Sequence, residues 1–254
     1  MPLWGEVEGP AGALAVHVAA GSLSASPALS PPGTLLISHG FPSVGETAAQ
    51  VGRSLPALAD HLSGASGWRV ITGCLRGVGA STGDFSLEGW FEDLQALLDH
   101  AQSLAGTGGV WLAGFGTGGA LGLCLAAADD RVRGVAALGA PATFERWAAD
   151  LAGLADAARA AGMLRSSEAP EDLAAWGRGC TLLVPLEAAR SIAPRPMLFV
   201  QGTEDDRVPV AEARELAAAA QDAADLRLLV GAGHHLRADP RAVALLLGWL
   251  ERQA

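Results

Sequence analysis

From Thr34 to the C-terminus, short apolar runs alternate with longer segments whose apolar residues recur every three or four positions. This alternation predicts parallel strands joined by crossover helices. Each short run is apolar on both faces, as expected for strands that helices cover on two sides. The predicted strands are residues 34–38, 69–74, 110–113, 132–138, 197–201 and 226–230.

The helical segments lie between these runs, and an antiparallel hairpin of 4–8 and 14–18 precedes them, followed by a Ser/Pro-rich loop at 21–33. Ser54 is the predicted N-cap of the first helix, with Pro56 in its first turn, because proline inside a helix costs about 3 kcal/mol. This helix is predicted to end near Leu62. The other predicted helices are 87–104, 117–128, 210–220 and 241–252.

The alternation stops between residues 143 and 193, where the chain is rich in alanine and charge and breaks at 166–170. A long interruption within a compact domain is more often a functional lid than a loop. We therefore predict an α/β core of residues 1–142 and 194–254, with a helical lid inserted at 143–193. The core should hold about eight strands, mostly parallel, with helices on both faces.

Composition narrows the classes of function. Half of the 254 residues are hydrophobic and 17% are charged, which is typical of a packed globule. A formal net charge of −10 disfavours nucleic acids and anionic membrane surfaces. The N-terminal residues have no basic segment, and no apolar run approaches the ~20 residues of a membrane span, so a soluble cytoplasmic protein is expected.

Four short motifs follow predicted strands, at the edge of the sheet where ligands bind in open α/β folds. They are His-Gly-Phe-Pro at 39–42, Gly-Phe-Gly-Thr-Gly-Gly at 114–119, Gly-Thr-Glu-Asp-Asp-Arg-Val-Pro at 202–209 and Gly-Ala-Gly-His-His at 231–235. With Arg-Gly-Val-Gly-Ala-Ser at 76–81, they resemble the α/β-hydrolase superfamily, specifically the small-lid branch of serine aminopeptidase-like and dienelactone-hydrolase-like enzymes. The resemblance covers residues 34–252 and implies an α/β-hydrolase fold related to ester and amide hydrolases.

The resemblance also implies an acid and a base. The base matches His234, and the acid matches Asp205, the third residue after Gly202, although Asp206 competes for this role. A buried carboxylate orients the imidazole and stabilises its protonated form. His235 is interpreted as a neighbour that faces the lid or solvent.

An oxyanion hole needs two backbone N–H groups. Pro42 has no N–H, so the predicted donors are Phe41 and Thr117, and His39 and Gly40 form the turn that places Phe41.

The chain departs from the family pattern at the nucleophile. Where the family has Gly-x-Ser-x-Gly, this sequence has Gly116 and therefore no reacting oxygen. Thr117 is a poor substitute, since neighbouring residues on a sharp turn point in different directions. The acyl-enzyme route is closed, which leaves at most the ~10³–10⁴-fold acceleration that binding and the oxyanion hole supply.

Two cofactor interpretations are weaker. Gly114, Gly116 and Gly119 match a dinucleotide fingerprint, but the next predicted strand ends in Leu-Gly-Ala without the carboxylate that holds a ribose. A metal site would need His39, His234, His235 and Asp205 to converge, and adjacent histidines do not easily point the same way. We expect neither a cofactor nor a metal.

Three classes of function remain. The first is a non-hydrolytic α/β-hydrolase-fold protein that binds a small acyl-type ligand, such as an ester, an amide or a peptide end, under its lid. The second is an enzyme in which the Asp205–His234 pair activates water or deprotonates a substrate. The third is a structural or partner-binding protein with an idle pocket.

Overall fold

The computed structural model describes residues 4–19, 31–106 and 109–254, and its eight described strands form one sheet. The strands are β1 (Gly5–Gly9), β2 (Gly12–Ala19), β3 (Thr34–Ser38), β4 (Arg69–Gly73), β5 (Val110–Phe115), β6 (Val132–Leu138), β7 (Met197–Gly202) and β8 (Ala224–Leu229). Their order across the sheet is β1-β2-β4-β3-β5-β6-β7-β8. β1 and β2 form the predicted hairpin, β2 pairs antiparallel with β4, and the remaining neighbours are parallel. The predicted mostly parallel sheet is confirmed.

Helices cover both faces of this sheet. They are α1 (Ala48–Ser66), α2 (Leu87–Leu104), α3 (Thr117–Ala128), α4 (Glu145–Ala149), α5 (Leu151–Ala160), α6 (Leu173–Trp176), α7 (Gly179–Leu182), α8 (Pro185–Ile192), α9 (Val210–Ala220) and α10 (Pro240–Glu251). Within β3, Leu36 enters a core with α2 and α3, whereas Leu35 and Ile37 enter a second core with α10. Because successive side chains of a strand point to opposite faces, a strand covered on both sides must be apolar throughout.

The prediction for the start of α1 was wrong. The helix begins at Ala48, where Thr47 is the N-cap and forms a capping box with Gln50. Ser54 lies inside the helix and its hydroxyl donates to the carbonyl of Val51, and Pro56 is also internal. A cap with two reciprocal hydrogen bonds and a long buried face outweigh the hydrogen bond that an internal proline loses.

The other predicted helices agree closely with the structure. α2, α3 and α9 have the predicted bounds, and α10 begins one residue early, at Pro240, capped by Asp239. Most of the predicted loop at 21–33 lies outside the described residues. No helix in the described ranges is long and apolar enough to cross a membrane.

The segment 143–193 contains α4 to α8. Its last helix, α8, packs against α3 and α9 in the layer that covers the sheet. α4 and α5 instead line the cavity described below. The assignment of 143–193 as a lid stays a prediction.

Candidate functional site

The turn between β5 and α3 is a sharp strand–turn–helix junction with glycine at residue 116. Gly116 adopts φ 54° and ψ −124°, a backbone conformation that residues other than glycine rarely adopt. A Cβ built on Gly116 would lie 3.3 Å from Nε2 of His234, and the nearest backbone atom, Cα of Gly40, would be 3.9 Å away. The imidazole therefore faces the place that a residue-116 side chain would occupy. A side chain there would strain the backbone, and His234 would have to shift by a few tenths of an ångström.

The glycines around this turn allow backbone segments to approach each other. A Cβ on Gly114 would lie 2.4 Å from backbone atoms of Gly118 and Gly119, and one on Gly118 would lie 2.2 Å from the carbonyl oxygen of His39. These contacts are too short for any side chain. The strand–turn–helix packing is thus preserved although residue 116 is glycine.

Asp205 and His234, which the sequence analysis paired, are in contact at the ends of β7 and β8. Nδ1 of His234 lies 2.9 Å from Oδ2 of Asp205 and 3.2 Å from Oδ1. The carboxylate is fully buried, whereas the imidazole is 16% exposed. Asp206 lies at the cavity wall, is exposed and does not contact His234. The geometry selects Asp205 as the partner of the imidazole.

Burial raises the pKa of the Asp205 carboxyl, but three hydrogen-bond donors and the charge interaction with His234 act in the opposite direction. The ring of His234 and the backbone N–H groups of Val208 and Arg207 donate to the carboxylate, the latter two at 3.0 and 2.9 Å. The net effect is a pKa below the ordinary value of aspartic acid. Asp205 is therefore ionised at neutral pH and fixes the Nδ1–H tautomer of His234, which leaves Nε2 free to exchange a proton.

Gln201 is a site residue that the sequence analysis missed. Its Nε2 donates to Oδ2 of Asp205 at 2.8 Å and to the carbonyl of Val208 at 2.9 Å. The side chain is fully buried, and its Oε1 has no partner among the described residues. The available signal was a lone amide at the end of an apolar strand. An amide that leaves a buried oxygen unpaired is best explained by the donor it supplies to Asp205.

The side chain of His39 is buried beneath the site and is not exposed to the cavity. Its Nε2 accepts the N–H of Leu75 at 3.0 Å, so the proton lies on Nδ1, which donates to the carbonyl of Gly40 at 3.0 Å. Its ring packs edge-on against Trp90. Burial lowers the pKa of His39 to about 4, so the ring is neutral near pH 7. His39 supports the turn that carries Phe41, and it is not among the residues that line the cavity.

Phe41 and Thr117, the two predicted oxyanion donors, line the same cavity as Gly116 and His234. Neither the N–H of Phe41 nor that of Thr117 has a hydrogen-bond acceptor among the described residues. Thr117 is the first residue of α3, where the helix dipole favours negative charge. The arrangement can hold an oxygen atom that carries negative charge.

A cavity of about 820 Å³ opens above this turn. Three aromatic rings line it: Trp147 lies 5.1 Å from Phe41 and 5.5 Å from Phe144 between ring centroids. Leu154 and Ala157 of α5 extend the apolar wall. A site with these dimensions accommodates a small organic molecule whose apolar part packs on the aromatic rings.

The described cysteines supply no thiol beside Gly116. Cys74, Cys124 and Cys180 are buried, and burial raises their pKa values to about 12, 12 and 11. None of the three lines the cavity. Within the described part of the chain, no group of three or more His, Cys, Asp or Glu side chains could hold a metal ion.

Comparison with known proteins assigns the family. A model of the alpha/beta hydrolase fold matches residues 33–167, more than half of the sequence, and the chain belongs to this family. Comparison with curated proteins gives no significant sequence match.

Solved structures share the fold over nearly the whole chain. An alpha/beta hydrolase from Penicillium sp. sh18 is 20% identical to this chain, with a TM-score of 0.72. The superposition covers 100% of this chain and 99% of the Penicillium chain. The esterase domain of a Rhodothermus marinus protein is 20% identical, with a TM-score of 0.67 and coverage of 99% and 97%. A meta-cleavage product hydrolase from Pseudomonas fluorescens IP01, a serine-to-alanine mutant complexed with acetates, is 16% identical, with a TM-score of 0.67 and 98% coverage of both chains.

Proposed function

We propose that this protein is a non-hydrolytic member of the α/β-hydrolase family that binds a small acyl-type ligand under α4 and α5. The observation that carries the proposal is the pairing of a complete Asp205–His234 dyad with Gly116, a residue that has no side chain to attack a carbonyl carbon. Without an attacking oxygen, no covalent acyl-enzyme forms. The polar groups of the site then serve as anchors for the ligand.

Three further features support a ligand with an acyl group. The N–H groups of Phe41 and Thr117 can donate to a carbonyl or carboxyl oxygen, and His234 supplies a third polar contact in the same cavity. The aromatic wall suits an apolar substituent. The Pseudomonas hydrolase mutant, whose structure is a complex with acetates, is a precedent for a small carboxylate in a protein of this fold.

A short-chain p-nitrophenyl ester assay tests the proposal with three forms of the protein. We expect the wild type and Gly116→Ala to be inert and Gly116→Ser to hydrolyse the ester at least about 100-fold faster than Gly116→Ala. The alanine variant is the matched control, since both substitutions place a Cβ at the same positive φ. Addition of His234→Ala to Gly116→Ser should abolish the gain.

Other outcomes contradict the proposal. Turnover by the wild type that disappears in His234→Ala would establish the second candidate, in which His234 activates water or deprotonates the substrate. That candidate is favoured by the direct approach of Nε2 to the cavity beside Gly116. A folded but inert Gly116→Ser would show that the remaining groups are not poised, and would favour a structural or partner-binding role.

A further inference from the structure

Resting on the proposed function, we propose further that the ligand is a free carboxylic acid rather than its ester. One carboxylate oxygen would take the position that a residue-116 side chain would otherwise fill, beside His234. The replacement of the nucleophile by Gly116 would then create a carboxylate site in addition to removing catalysis.

The steric argument comes from the turn itself. The Cβ position on Gly116 lies 3.3 Å from Nε2 and 3.6 Å from Cε1 of His234, with the next atom at 3.9 Å. A ligand oxygen cannot lie at the Cβ position itself, which is one bond length from Cα, but an oxygen in van der Waals contact with Cα of Gly116 can lie within the hydrogen-bond distance of about 2.7–3.2 Å from Nε2. A serine would occupy this place with its own hydroxyl. Only a protein with glycine here leaves it to an oxygen of the ligand.

The second oxygen of the carboxylate has donors of its own. Phe41 and Thr117, whose N–H groups have no acceptor among the described residues, line the same cavity. A carboxylate thus contacts the site through both oxygens. An ester presents its carbonyl oxygen to these donors, but its other oxygen carries an alkyl group and no charge. Charge-assisted hydrogen bonds are about twice as strong as neutral ones, which favours the acid.

Nε2 of His234 can accept the proton that the carboxylic acid loses. Asp205 holds Nδ1–H of His234, so a proton on Nε2 gives an imidazolium between two carboxylates, that of Asp205 and that of the ligand. Asp205 is buried and accepts hydrogen bonds that keep it ionised. The dyad that handles protons in the related hydrolases thereby becomes the counter-charge of a bound acid.

The nearby charges are compatible with an anionic ligand. Of the acidic residues in the lining, Glu46 pairs with Arg237 and accepts the N–H of Ser43, and Asp150 caps α5. Asp206 is exposed at the cavity wall. Two arginines, Arg146 and Arg207, also line the cavity.

The rest of the ligand should be apolar. The cavity of about 820 Å³ is far larger than a carboxyl group, and its lining includes the apolar side chains of Phe144, Trp147, Leu154 and Ala157. Burial of alkyl or aryl surface against these side chains contributes roughly 25 cal/mol per Å². The chemical class is a medium-chain or arylalkyl carboxylic acid.

Calorimetric titration of the full chain with octanoate, methyl octanoate and octan-1-ol tests the inference. The three probes share the tail and differ only in the head group. We expect octanoate to bind at least about 10-fold more tightly than its methyl ester or the alcohol. Gly116→Ala should remove this preference, because its methyl group would obstruct the oxygen while the apolar lining is unchanged.

Two matched variants separate the site from general effects. Gly67→Ala places a Cβ at another positive φ, +73°, at the C-cap of α1 and away from the cavity, so it should leave the preference intact. His234→Asn should reduce octanoate affinity at least about 10-fold. His235→Asn, an exposed neighbour, should not change it.

Equal affinities for octanoate and methyl octanoate would overturn the carboxylate inference and leave the proposed function standing, since an ester would still be an acyl-type ligand. A preference that persists in Gly116→Ala, or the absence of binding by all three probes, would also overturn it. The proposed function itself fails through the separate esterase assay, in which Gly116→Ser stays inert or the wild type turns over.

Discussion

Two turns at the same edge of the sheet each carry a histidine, and the structure gives the two rings opposite environments. His39, after β3, lies under the surface and bonds only to backbone groups, the carbonyl of Gly40 and the N–H of Leu75. His234, after β8, is partly exposed and bonds through Nδ1 to the carboxylate of Asp205. A histidine held by backbone and apolar rings is a structural element, whereas one held by a carboxylate and open to a cavity can exchange protons.

Replacing each histidine with alanine is the strongest test of the difference between His39 and His234. We expect His39→Ala to lower the free energy of unfolding by about 4 kcal/mol, because it leaves a cavity and an unpaired N–H of Leu75 in the core. His234→Ala should lower it by less than about 1 kcal/mol, since Asp205 keeps its hydrogen bonds to Gln201 and to two backbone N–H groups. Urea denaturation measures both values, and similar losses would contradict the assignment of distinct roles.

The next effect is a dependence of stability on pH. Because the pKa of His39 is lowered to about 4, the unfolded chain binds a proton that the folded chain does not between about pH 6.5 and 4. Stability present above pH 6.5 is lost as the pH falls through this range, by about 3 kcal/mol in total.

His39→Gln, which does not titrate, should flatten this part of the stability curve, whereas His235→Asn should leave it unchanged. Urea midpoints measured across the same pH range in the three proteins provide the check. An unaltered slope in His39→Gln would assign the pH dependence to other groups.

The smallest effect concerns the support of His234. Gln201→Leu removes a donor to Asp205 together with a buried oxygen that has no partner, so stability should change by less than about 1 kcal/mol. The carboxylate would hold the ring less firmly, and the preference of His234 for the Nδ1–H tautomer should fall about 10-fold. Nitrogen chemical shifts of the imidazole measure the tautomer directly. Unchanged shifts would show that Gln201 has only a packing role.

Much of the fold could be predicted from local patterns. The bounds of α2, α3 and α9 follow from the spacing of apolar residues, and those of β3 and β6 from short apolar runs. The start of α1 could not be predicted from Ser54 and Pro56, because tertiary contacts of the buried helix face offset the penalty of an internal proline.

The sequence by itself determined which segments meet at the site, since the carboxyl ends of parallel strands share one edge of a sheet, and it determined that residue 116 has no reacting atom. Tertiary structure alone decided that His39 is buried and that Gln201 supports the carboxylate, and it places Asp205, which the motif favoured over Asp206, against His234. Local patterns follow from backbone geometry over a few residues. Burial and hydrogen-bond partners depend instead on residues distant in sequence, which only the folded chain brings into contact.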